Sequence, residues 1–348
     1  MNIYLINCFQ GKKNDQGFYA TVKARQDVIK TFDNIGAEKL NIIHRNIKLP
    51  KIKGLIWKIS EIHEVIKFIK QIKANSIVFF QYPTFLSAYV YIIKILKSKS
   101  VKVGLLIHDV ESFRWNRDHK KEIDILNMAD ELIVHTESMK QFLSEHGVST
   151  NMFVMNLFDY YTDDDLKDYK SLVNNKYIIA FAGNLDKSLF LKKIASNFPD
   201  ELQFYLYGVP PKNNLVYGDS VKYIGKFNPN NVSYINAGWG LVWDGDSIET
   251  CTGELGNYLR INASHKLSLY LSAGIPVIVW EKSGVAEYIK NNKLGITISS
   301  LKDIKRTIFE MSDSEYFTII KNVKTISVEI RNGKMLKGIL NTICNNRI

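Results

Sequence analysis

Short apolar runs alternate with longer segments of helical spacing along nearly the whole chain, in two successive series. In the first, strand-like runs fall at Ile3–Cys8, Lys39–Ile43, Ser76–Phe80, Val101–Ile107, Glu131–His135 and Asn151–Met155. Most are separated by segments with helical periodicity: Tyr19–Ile35, Ile52–Lys73, Thr84–Lys97, Lys120–Met128 and Ser138–Gly147. Such alternation predicts an α/β chain with a parallel, doubly wound sheet. The runs are apolar at consecutive positions, as strands covered on both faces require.

From Phe158 to Lys176 the pattern lapses into Asp163-Asp164-Asp165 with Tyr, Lys and Asn. A second series follows at Tyr177–Ala182, Gln203–Tyr207, Val221–Ile224, Gly240–Trp243, Pro276–Trp280 and Gly295–Ile298. We therefore expect a first domain over residues 1–158 and a second over 176–325. A helical tail over 326–348 should cross back to the first. A chain of 348 residues holds enough core for two domains.

Composition narrows the function classes. Hydrophobic residues make up 46% and charged residues 23%, the balance of an ordinary globular protein rather than a disordered one. The net charge of +11 is either compositional drift toward lysine or a face that attracts phosphates of a nucleotide, a lipid or a nucleic acid. Nucleic acid is not expected, because the basic stretches lack the aromatic interleaving of single-strand binders and no recognised motif is present. Cys8, Cys251 and Cys344 are isolated, which argues against a disulfide framework or a zinc site and for a reducing compartment. No apolar run reaches the roughly 18 residues of a membrane span. The opening MNIYLINCF reads as a core strand and not as a signal peptide. The expected location is the cytoplasm, with peripheral contact at the inner face of the membrane as a further possibility.

Doubly wound sheets bind ligands beyond the carboxyl ends of their strands, and two such domains place the site in the cleft between them. Four loops after strands stand out. The first is Gln10-Gly11-Lys12-Lys13-Asn14-Asp15-Gln16-Gly17, ahead of a helix carrying Lys23 and Arg25. Gly17 and Arg25 are candidates for acceptor binding. The loop lacks GxGxxG, which disfavours a nicotinamide dehydrogenase, and a plain loop is the competing reading.

The second loop is His108-Asp109-Val110-Glu111, with Arg114 close behind. Titratable groups at the end of a buried strand are costly unless used or paired. Asp109 is the candidate general base, with His108 and Glu111 as rivals; structural capping of the strand competes with that role. The third is Gly183-Asn184-Leu185-Asp186-Lys187, a turn suited to a diphosphate oxygen or simply to solvent.

The fourth is the richest. Asp244-Gly245-Asp246 ends one apolar run, and Ser264-His265-Lys266 heads the next helical segment. A lysine at a helix N-terminus adds its charge to free N–H groups and the positive end of the macrodipole, a combination that selects phosphate. Asp244 and Asp246 can accept hydrogen bonds from sugar hydroxyls. A structural Lys–Asp pair is the competing reading. His265 beside Lys266, and Tyr207 at the end of its strand, complete the expected donor set. The lysine-rich segments Lys51–Lys73 and Lys94–Lys102 read as solvated helix faces or as a basic face near an anionic membrane.

The segment GLVWDGDSIETCTGELGNYLRINASHKLSLYLSAGIPVIVW closely resembles bacterial O-antigen β-1,6-galactofuranosyltransferases. More distantly it is similar to streptococcal glucosyltransferases that glycosylate serine-rich adhesins. IHDVESF and FAGNL extend the match to both halves, and QGFYATVKARQD does so more weakly. The resemblance implies the GT-B architecture, two Rossmann-like domains facing a cleft, with no metal or other cofactor required. It implies a UDP-sugar donor held by the second domain and an oligosaccharide or lipid-linked glycan acceptor held by the first. The lysine that engages the donor diphosphate in the streptococcal relatives falls at Lys266. Their arginine falls at Lys187, a change that keeps charge but loses the bidentate fork. The Glu-x7-Glu pattern of many retaining GT-B enzymes is absent from that segment, which does not support a retaining mechanism of that type; a β product from an α-linked donor implies inversion. A homo-oligomer is also expected.

Overall fold

The computed structural model describes residues 1–10, 20–44, 51–84, 86, 88–198, 201–210 and 219–345. Among the described residues, twelve strands fall where the apolar runs do. They are β1 (Ile3–Gln10), β2 (Glu38–His44), β3 (Ile77–Tyr82), β4 (Lys102–Ile107), β5 (Glu131–Val134) and β6 (Asn151–Val154), then β7 (Ile178–Ala182), β8 (Gln203–Tyr207), β9 (Val221–Gly225), β10 (Trp239–Val242), β11 (Val277–Trp280) and β12 (Gly295–Ile298). They form two six-stranded sheets, ordered β2-β1-β3-β4-β5-β6 and β12-β11-β10-β7-β8-β9. Every pairing is parallel. The expected pair of Rossmann-like, doubly wound sheets is therefore present.

Side-chain alternation explains why both faces of the first sheet are apolar. Tyr4 and Ile6 pack on one face with Val65, Ile69, Ile92 and Leu96 of the helices Lys51–Gln71 and Tyr89–Ser98. Leu5 between them points to the other face, beside Val28 and Phe32 of the helix Ala20–Asn34. In the second sheet Gly240 admits the Tyr270 ring, which lies 2.1 Å from where a Cβ would stand. The helix expected from Thr84 begins only at Tyr89, because Ala88 ahead of it adopts a left-handed φ of 58°. The lapse after Phe158 contains one short helix, Tyr169–Asn174.

The C-terminal crossover differs from the expected boundary at 325/326. One helix, Asp313–Arg331, runs straight through that point and stays on the second domain, where Ser327 Oγ donates to Ser272 O at 3.0 Å. The chain turns at Gly333, whose φ of +71° suits glycine. The last helix, Lys334–Asn345, then buries Leu336, Leu340 and Ile343 against the first sheet. Asp159 accepts hydrogen bonds from the N–H groups of Met335 and Leu336, fixing the start of that helix.

Candidate active site

Strand order reverses between β1 and β3 in the first sheet and between β7 and β10 in the second. Ligands of doubly wound sheets bind outside the carboxyl ends at such reversals. Here a cleft of about 500 Å³ lies between the two carboxyl edges. Arg25, His108, Asp109 and Glu111 line it from the first domain; Gly183, Asn184, Lys187, Asp244, His265 and Lys266 line it from the second. Ten side chains and turns read from four separate loops thus share one cavity.

Two candidates stand apart from it. Tyr207 is 0% exposed, packed in the second core with its hydroxyl accepting from Asn236 N at 3.0 Å, so it cannot touch a ligand in this arrangement. Its strand register turns the ring toward the covered face rather than the cleft. Asp246 is exposed, does not line the cleft, and accepts the Thr252 hydroxyl instead. Gly17 lies outside the described residues.

The loop after β4 is held by charge. Asp109 Oδ2 accepts from Arg114 Nη1 at 2.6 Å, and Glu111 Oε2 accepts from Trp115 Nε1 at 2.7 Å. Beneath them Glu122, buried in the first domain, accepts from Glu111 N, Ser112 N and the Tyr82 hydroxyl. It thereby caps the one-turn helix Glu111–Arg114. Burial raises Asp109 to about 6; Arg114 opposes the rise and Glu111 adds to it. A carboxylate placed there is half-protonated near pH 6 and mostly ionised at neutrality, the form a general base needs.

His108 is constrained differently. Gln81 Nε2 lies 2.8 Å from Asn7 Oδ1 and 3.3 Å from the carbonyl of Arg25, so the Gln81 oxygen must face His108. His108 Nε2, 2.6 Å from that oxygen, is then the donor, and Nδ1 keeps the lone pair. Burial holds the ring well below its ordinary value, helped by the charge of Arg25 and by His135 and His265. It is a neutral imidazole and a weak base.

Across the cleft, Lys266 Nζ lies 2.9 Å and 3.1 Å from the two oxygens of Asp244 and 4.9 Å from the Phe181 ring centroid. The lysine stem passes close to Gly183, its Cδ 3.7 Å from where a Cβ would stand, an ordinary van der Waals contact. The residue follows His265 at the start of the helix His265–Ser272, as its sequence position suggests. Lys187 rests over Trp115 of the first domain, 5.7 Å from a ring centroid. His265 sits against the Phe158 and Tyr160 rings and is lowered to about 3 by burial, with Lys23 contributing. Arg25 donates to Pro83 O at 2.5 Å and is lowered to about 10 by burial. The site therefore has one wall with a tunable carboxylate and an opposite wall with two lysines.

Several interdomain residues carried no motif. Tyr258 belongs to the second domain, yet its ring lies in the first core and its hydroxyl accepts from Val110 N at 2.8 Å. His135 accepts from Ala263 N at 3.3 Å and donates through Nε2 to Ile107 O at 3.0 Å. Thr136 Oγ1 donates to Ile261 O at 2.5 Å. Tyr258, Asn262 and Ala263 also line the cleft, a role that only the assembled pair of domains defines.

Two family descriptions match in register with this architecture. The glucosyltransferase 3-like N-terminal domain matches residues 2–157, and the glucosyltransferase 3-like C-terminal domain matches residues 179–343. The chain belongs to the glucosyltransferase 3-like family. This family member is a GT-B glycosyltransferase. It is 27% identical to the β-1,6-galactofuranosyltransferase WbbI of Escherichia coli K12, over 99% of each chain. In three dimensions it resembles sucrose-phosphate synthase from Thermosynechococcus elongatus, with a TM-score of 0.64 at 12% identity and 99% of each chain covered. It also resembles HepE from Anabaena in complex with UDP-glucose, with a TM-score of 0.57 at 10% identity, over 98% of this chain and 100% of that one. No helix among the described residues of this glucosyltransferase 3-like protein is long and apolar enough to cross a membrane.

Proposed function

We propose that this glycosyltransferase moves galactofuranose from UDP-galactofuranose to a hydroxyl of a lipid-linked oligosaccharide, forming a β-1,6 linkage with inversion. The observation that carries the reading is the placement of Asp109 and the Lys266–Lys187 pair on opposite walls of one cleft. The end-to-end relation to a β-1,6-galactofuranosyltransferase supports the sugar and the linkage. The nucleotide is supported by the UDP-glucose complex among its structural neighbours.

In this reading Asp109 takes the proton of the acceptor hydroxyl as its oxygen bonds to the anomeric carbon. The bond from that carbon to the diphosphate breaks, and its electron pair leaves with UDP. Lys266 and Lys187 stabilise the charge that develops on the leaving diphosphate. No metal or other cofactor is assigned a step. Asp109 is preferred over its neighbours for physical reasons. Its Oδ1 has no partner among the described residues and its titration lies near 6. His108 is too weak a base, and Glu111 is occupied by the Trp115 indole. Asp244, held by Lys266 in this structure, orients the donor sugar once phosphate takes the lysine. Asn184 and Gly183 line the diphosphate side; Arg25 lines the acceptor side.

A second reading, the same chemistry with UDP-glucose, is favoured by the family description and by the UDP-glucose neighbour. The experiment is UDP release across a panel of UDP-sugars with a glucose-terminated acceptor, followed by mass spectrometry of the product. Turnover with UDP-galactofuranose alone supports the first reading. Turnover with UDP-glucose alone replaces it with the second.

A further inference from the structure

The helices Lys51–Gln71 and Tyr89–Ser98 lie side by side on one face of the first sheet. Lys99 Nζ donates to Ile69 O at 2.6 Å, tying the end of the second helix to the first. Their inward residues are accounted for by the core; their outward residues are not. Ile56, Ile59 and Tyr91 are 60%, 59% and 68% exposed, with Ile66 and Ile95 also open to solvent. Three large apolar side chains this exposed, on adjoining helices, form a patch that an isolated soluble domain does not need.

Charge surrounds the patch. Lys58, Lys67, Lys70 and Lys94 are exposed on the same two helices, and Lys94 Nζ sits 6.0 Å from the Tyr91 ring centroid. The second helix has no acidic residue, and Glu64 is the one exposed acid of the first. Both helices leave the carboxyl edge of the sheet, the edge that borders the cleft, so Ile56, Ile59 and Tyr91 lie in the half nearer the site.

We propose that this outer face is a docking surface for a bilayer bearing anionic lipids. Aliphatic and tyrosine side chains enter the interface while long lysine stems reach the phosphates. A second copy of the chain is a poor occupant, because a twofold contact would oppose lysine with lysine. The docked orientation would bring the cleft mouth toward the membrane. The inference does not depend on the donor sugar.

Vesicle co-sedimentation tests it without any need for activity. The full chain should pellet with phosphatidylglycerol–phosphatidylcholine vesicles, not with phosphatidylcholine alone, and should be released by salt. Each lysine near such a surface contributes about fivefold to partitioning, so Lys58→Gln/Lys67→Gln/Lys70→Gln/Lys94→Gln should weaken it at least about fiftyfold. Ile56→Ser/Ile59→Ser/Tyr91→Ser should weaken it about tenfold or more. Lys321→Gln/Lys324→Gln, exposed on the second domain, should stay within about twofold of the parent. All the substituted side chains are exposed, and circular dichroism checks folding. Four results overturn the proposal: no pelleting with anionic vesicles, equal loss in the second-domain control, undiminished binding by the apolar variant, or a concentration-dependent dimer that the apolar variant abolishes.

Discussion

Lys266 and Asp244 face each other at the strand reversal of the second sheet, with Nζ within 3.1 Å of both carboxylate oxygens. The pair is partly buried, with side-chain exposures of 16% and 21%. A nucleotide diphosphate would have to compete with Asp244 for the lysine.

Lys266→Ala should weaken UDP binding by roughly 1.5–3 kcal/mol, the range of a charge-assisted contact. Calorimetric titration measures this directly. Asp244→Asn should leave UDP affinity equal or tighter, since it removes the competitor and keeps the lysine. UDP affinity within about twofold in Lys266→Ala would restrict the lysine to the structural pair.

Asp109→Asn should lower turnover by about 10²–10⁴-fold if the carboxylate takes the acceptor proton. In the parent enzyme kcat/KM should rise as pH passes through about 6, where Asp109 loses its proton. Arg114 favours the ionised form, so Arg114→Met should move that limb to higher pH. A limb that stays in place in Arg114→Met assigns the titration to another group.

His135 supplies a stability test. Burial lowers its pKa to about 4, and its donor–acceptor pattern requires the neutral ring. Between the unfolded value near 6.5 and about 4, the unfolded chain binds more protons, so this contribution is present at neutral pH and lost as pH falls. At pH 5 the loss is on the order of 2 kcal/mol. Asp27 and Asp159, both raised to about 7 by burial, act in the other direction over the same range. The comparison that isolates His135 is therefore His135→Gln against the parent. The gap in denaturant-unfolding stability should shrink by about that amount between pH 7 and pH 5, and a gap that does not change with pH removes His135 as the source.

The sheets were readable because their central strands bury both faces. Val78, Phe79 and Phe80 are all 0% exposed, and such a run leaves its periodicity in the sequence. That Lys266 and Asp109 border the cleft was readable because loop chemistry at strand ends stands out against apolar flanks. Tyr207 misled because the side to which a strand's last residue points depends on register parity and on what covers that side. Tyr258 carried no signal at all. It looks like an ordinary aromatic in a polar segment until the first domain is placed against it.

That contact yields the last prediction. Tyr258 comes from the second domain, and its hydroxyl is the acceptor for Val110 N, between Asp109 and Glu111. Tyr258→Phe keeps the ring in the first core but leaves a buried N–H with no acceptor, at a cost of about 1–3 kcal/mol. Stability in a denaturant titration should fall by that amount. The backbone carrying the candidate base loses its anchor at the same time, so kcat should fall while UDP affinity, set on the other wall, stays nearly constant. A variant of unchanged kcat and reduced stability would make Tyr258 an interdomain strut alone. A variant that loses UDP affinity in equal measure would mean the two walls move as one unit.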